Sequence, residues 1–115
     1  MKTSRLTPTL PDGVKTPVKV ATIENIELKG LQNINGYQLN DNDRVLVKNQ
    51  DFPFTNGIYN AHATGWTLAK DWKYGSQIVS GVMVLDDFTG ELWRGKYVEP
   101  VFNVGLTSIE FLQLG

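Results

Sequence analysis

The stretch DRVLVKNQDFPFTNGIY, residues 43–59, sets charged side chains on either side of an unbroken Val45-Leu46-Val47 run. The lip of an active site would look like this, and so would a strand with the loop that returns it. Successive side chains of a strand point to opposite faces, so Val45 and Val47 share one face and Leu46 takes the other. Arg44 and Lys48 fall on the Leu46 side, where their stems can cover apolar surface while their charges stay in water. Asp43 closes the preceding turn, and residues 49–57 form the loop before a returning strand at Ile58-Tyr59. The stretch therefore predicts a hairpin-like unit and no active site. Within the loop Asp51 to Thr55, an apolar Phe52-Pro53-Phe54 has little reason to face water unless something covers it. These three residues are candidate partner contacts.

The pattern continues outward from that hairpin. Glycines at 30, 36, 57, 65, 75, 81, 90, 95 and 105 separate short segments rich in Val, Ile, Tyr, Trp and Thr. Turn signals spaced roughly 8–12 residues apart predict an all-β domain, a compact antiparallel β-sandwich or small barrel. Strands are expected over 18–22, 43–49, 57–61, 65–69, 77–85, 91–94 and 107–113, with a shorter piece at 36–39. In SIEFLQL (108–114), the apolar Ile109, Phe111 and Leu112 are interleaved with Ser108, Glu110 and Gln113, as in a half-buried strand. Gly81 inside QIVSGVMVL signals a bulge or a sharp bend. One helical turn is expected in ATIENIEL (21–28), capped by Thr22 or Asn25, with Ile23, Ile26 and Leu28 facing the core.

The chain has 115 residues, 41% of them apolar and 20% charged, enough for one modest core. Eleven Lys and Arg against twelve Asp and Glu leave a net charge of -1. That balance supplies no basic stripe for phosphate, so no nucleic-acid partner is expected. No apolar run approaches the ~20 residues of a membrane span, and no signal-peptide segment opens the chain. Cysteine is absent, which removes disulfides, Cys-based zinc sites and thiol nucleophiles. Stability must come from packing, oligomerisation or both.

Residues 1–17 differ from the rest. Pro8, Pro11 and Pro17 disfavour helix and central strand, and Asp12-Gly13 is a turn signal. Lys2, Arg5 and Lys15 against Asp12 give this segment +2, so residues 18–115 carry -3. A frayed terminus and an extended arm lying on a neighbouring subunit are both compatible with that composition. Arg5, Leu6, Pro8 and Leu10 are the arm's candidate contacts.

Chemistry finds few footholds. His62 is the only histidine, sits in a turn-like NAHATGW, and has no serine in a strand-turn-helix elbow to activate. Asp41/Asp43, Asp51 and Asp86/Asp87 could be read as paired acids, and NDND (40–43) as calcium ligands. All lie in turn contexts, where Asp caps backbone N–H groups. Catalytic, cofactor and metal residues are thus expected to be none. Trp66, Trp72 and Tyr74 could form a sugar-stacking platform, or fill a core or interface. Trp72, in the polar AKDWKYG, is expected to be exposed.

Residues 18–50, VKVATIENIELKGLQNINGYQLNDNDRVLVKNQ, followed by TNGIY (55–59), Trp66 and Asp71, resemble a module recurrent in tailed-bacteriophage tail fibres, tail spikes and other virion surface proteins. Its pattern runs V-A-T-x-x-N-I-x-L-x-G-L-Q, D-R-V-L-V-K-x-Q and N-G-I-Y, and VGLTSIEFLQL (104–114) resembles its closing strand. Asn35 and Asn42 stand where Asp and Gly are usual, and both tolerate left-handed backbone. Leu68 replaces a frequent Arg. The resemblance covers roughly 17–115 and implies a non-enzymatic virion component made in the host cytoplasm. It would serve as tail-tip, fibre adaptor or capsid decoration. The expected partners are other virion proteins and copies of itself, with a trimer favoured. A carbohydrate-binding module for a host surface glycan is the alternative, and a small hydrolase dependent on Asp43 or His62 a third.

Overall fold

Val45, Leu46 and Val47 are all fully buried, because the strand that holds them lies in a sheet covered on both faces. A computed structural model describes residues 13–79 and 81–114 of this chain. In it β4 (Arg44–Val47) pairs antiparallel with β5 (Gly57–Asn60), Leu46 opposite Ile58, as the hairpin reading requires. On its other side β4 pairs in parallel with β1 (Val20–Ala21), and β6 (Thr67–Leu68) closes the sheet beyond β5.

Side-chain alternation then sorts the core into two clusters. Val20, Val45, Val47 and Tyr59 meet Ile34, Leu39, Ala61 and Trp66 on one face. Ala21, Leu46 and Ile58 meet Trp72, Val82, Val84, Phe102, Ile109 and Phe111 on the other. The first face is covered by segment 26–39, whose centre is a small hairpin of β2 (Asn33–Ile34) and β3 (Tyr37–Gln38). Its two-residue turn is Asn35-Gly36, both with positive φ, the arrangement a two-residue hairpin favours. Asn42 is the other non-glycine with positive φ among the described residues, so both Asn positions fall where Asn is tolerated.

The second face is covered by an antiparallel sheet in the order β11-β9-β8, formed by β8 (Met83–Leu85), β9 (Leu92–Lys96) and β11 (Glu110–Leu114). A two-stranded pair of β7 (Gln77–Ile78) and β10 (Phe102–Asn103) lies beside it. The fold is all-β, built of several small sheets, none of them closed into a barrel among the described residues. The run 77–85 is broken around Gly81 into β7 and β8, which belong to different sheets. β2 and β10 lie outside every expected strand.

One further expectation is corrected. Segment 21–28 forms no helical turn, and Ile23 is exposed. Its backbone groups are met by side chains instead: the Gln50 amide accepts from Ile26 N–H at 2.9 Å and donates to Ile26 C=O at 3.0 Å. Asn25 Oδ1 accepts from Asp51 N–H, and Thr22 Oγ1 from Lys48 N–H. A partner offering both a donor and an acceptor satisfies extended backbone as a neighbouring strand would, which removes the incentive to coil. The described part of the N-terminal segment, residues 13–18, runs parallel to β8 of its own chain. Lys15 and Val18 N–H donate to Met83 and Leu85 C=O, each at 2.9 Å.

Candidate functional site

The polar residues of the opening stretch are joined to the scaffold. Arg44 projects from the first residue of β4 and grips Asp71 with two parallel bonds of 2.7 and 2.6 Å, while its Nε donates to Thr16 C=O. The expectation that the Arg44 charge stays in water is therefore corrected: the fork locks the turn before Trp72 and the segment beside β8 to the central strand. Partial burial pushes the Asp71 carboxyl up, but the Arg44 bonds and charge, aided by Lys15, outweigh it and hold the carboxyl below its usual range. Lys48 lays its ammonium over the Trp93 ring, 4.1 Å from the centroid. Burial lowers the Lys48 pKa, with Glu91 and Asp86 opposing.

The other acids act mainly as turn caps. Asp43 Oδ2 accepts from Asn40 N–H and from the Tyr37 hydroxyl. Asp86 is buried; Oδ1 accepts from Phe88 and Thr89 N–H, and Oδ2 reaches Ala21 N–H at 3.2 Å, joining the β8–β9 turn to β1. Among the described residues no cluster of three or more His, Asp or Glu could hold a metal ion. His62 bridges Asp41 Oδ1 at 3.2 Å and Thr67 Oγ1 at 3.1 Å. This acid-His-hydroxyl row, unseen from spacing because the hydroxyl belongs to a threonine, lies outside the four principal hollows. It links β6 to the 40–43 turn.

Trp66, Trp72 and Tyr74 do come together, lining one hollow of about 430 Å³ with Phe54, Tyr59 and Leu68. They do not form a platform. Trp72 is fully buried, against its expected exposure, and packs on Phe102 and Phe111. Gly57 leaves room for it, since a Cβ there would stand only 2.1 Å from the indole Nε1. Trp66 is buried and donates its Nε1–H to Gly30 C=O. Only Tyr74 presents its ring, 64% exposed. Most polar groups nearby are internally engaged: Tyr59 donates to Thr55 C=O, and the Asn56 amide joins Gln50 N–H to Ile109 C=O, while the buried Trp72 Nε1–H has no partner among the described residues. A sugar site needs free polar groups to fix hydroxyls, and this hollow is short of them.

The strongest outward features are apolar. Phe52 and Phe54 flank Pro53 in a single 3-10 turn (Pro53–Thr55) and are 67% and 42% exposed. Their candidacy as a contact surface thus has the exposure it needs. Arg5, Leu6, Pro8 and Leu10 lie outside the described residues. No family model, curated protein or solved structure matches this chain.

Proposed function

We propose that this chain is a non-enzymatic structural module of a tailed-bacteriophage virion, carried on the tail or capsid surface and assembled with copies of itself and neighbouring virion proteins. One observation carries the reading: the residues of the phage-like pattern are spent on holding the fold. Thr22, Asn25 and Gln50 tie segment 22–28 to the loop after β4, Arg44 and Asp71 form the internal fork, and Gly57 admits Trp72. A pattern that marks a scaffold suits a building block whose role is shape and contact. The exposed Phe52-Pro53-Phe54 supplies an apolar surface of the kind that contacts use.

The test is location. Antibody raised against the purified chain is expected to label intact phage particles at symmetry-related positions; labelling of infected-cell lysate with none on purified particles overturns the reading. Deletion of residues 1–12 leaves the segment beside β8 in place and asks separately whether the arm docks. Full-occupancy incorporation of that variant would remove the arm from the proposal.

A further inference from the structure

We infer that β11 is a self-pairing edge, through which two copies of this chain join their β11-β9-β8 sheets across a two-fold axis at Leu112. The inference rests on the homo-oligomeric reading above and specifies its interface.

Hydrogen-bond parity shows which backbone groups are free. Gly95 N–H donates to Val82 C=O, so Trp93 and Gly95 of β9 bond toward β8. Leu92, Arg94 and Lys96 therefore bond toward β11, where they meet Leu114, Leu112 and Glu110. Phe111 and Gln113 must then direct N–H and C=O to the open side. The preceding residue of that parity, Ile109, is already engaged: its N–H reaches Pro53 C=O at 3.4 Å and its C=O accepts from Asn56 Nδ2. Beyond it, nothing among the described residues pairs with the edge.

This edge carries no proline or bulge, and it keeps no charge at its centre, the usual protections against pairing. Leu112 and Leu114 are 41% and 38% exposed. Register aligns Leu114 with Leu92 and Leu85 in one outward apolar row, and Leu112 with Met83 across Arg94.

The occupant that fits is a second copy. Antiparallel pairing about Leu112 sets Phe111 opposite Gln113 of the second copy, and Gln113 opposite its Phe111, so each pair exchanges both N–H···O bonds. A shift of two residues one way needs Ile109, whose groups are taken; the other way carries Phe111 past the strand's end. One register alone satisfies the free groups. It brings the two Leu112 side chains together and runs the second strand toward Pro53, between the exposed Phe52 and Phe54. A two-fold interface departs from the trimer that the phage resemblance implies, and antiparallel self-pairing requires it.

Sedimentation and cross-linking of the full chain test this. The wild type is expected to be dimeric, or an even-numbered assembly of dimers. Gln113→Pro removes an outward N–H while sparing the bonds to β9, and is expected to give a monomer with an unchanged far-UV spectrum. As the chain lacks cysteine, Leu112→Cys is expected to form a disulfide-linked dimer under mild oxidation, its opposed Cα atoms lying near the ~4.5 Å of a non-hydrogen-bonded pair. Leu114→Cys, opposite Glu110, is expected not to. A trimer unaffected by Gln113→Pro overturns the edge and leaves homo-oligomerisation standing; a monomeric wild type overturns both. Equal cross-linking at 112 and 114 overturns the register.

Discussion

Trp72 and Gly57 occupy space that only the pair can share. The indole lies over β5 where any side chain would stand, so Gly57→Ala is expected to cost about 1–3 kcal/mol by overpacking. Trp72→Ala, which empties the largest fully buried position, is expected to cost about 3–5 kcal/mol. Urea unfolding of the two single variants and the double checks this, and the double should be less destabilised than the sum, because each change relieves the other. The Arg44–Asp71 fork makes a prediction with a sign. The Asp71 carboxyl titrates lower folded than unfolded, so its stabilisation is complete above the unfolded value near ~4 and lost as pH falls through the folded one. Asp71→Asn is expected to cost about 1–2 kcal/mol at neutral pH, discounted for partial exposure, and the deficit should vanish in acid. Thermal midpoints of both proteins across pH provide the measurement.

At the scale of elements, the segment after β1 shows why short motifs mislead. ATIENIEL has caps and spacing for one helical turn, and Gln50, twenty-four residues on from Ile26, offers an amide that does a strand's work. Gln50→Ala is expected to leave the Ile26 backbone unpaired in a half-buried place, costing about 1–3 kcal/mol. It should raise amide exchange at Ile26 before it disturbs β4. The β2–β3 hairpin is the opposite case, in which local chemistry is sufficient. Asn35-Gly36 admits the positive φ that the turn needs, and Gly36→Val should open it at about 1–2 kcal/mol.

For the whole molecule, the two faces of the central sheet explain the distribution of apolar residues. A sheet covered on both sides needs a strand without polar alternation, which Val45-Leu46-Val47 provides. The N-terminal boundary is also a matter of packing. Removal of residues 1–18 would strip the parallel strand from β8 and the buried Val18 from the core, so a chain beginning at Lys19 is expected to melt well below one beginning at Gly13.

Sequence alone determined the all-β class, the β4–β5 hairpin, the turn positions of Asn35 and Asn42, and the exposure of Phe52-Pro53-Phe54. Each depends on alternation or turn chemistry within a few residues. Tertiary structure decided that Trp72 is buried, that Arg44 is paired, that QIVSGVMVL splits between two sheets, and that β11 is an outer strand among the described residues. Those outcomes depend on residues distant in sequence, such as Asp71 with Arg44 and Phe111 with Trp72. Spacing carries no record of such pairings, because they form only when separate strands have stacked.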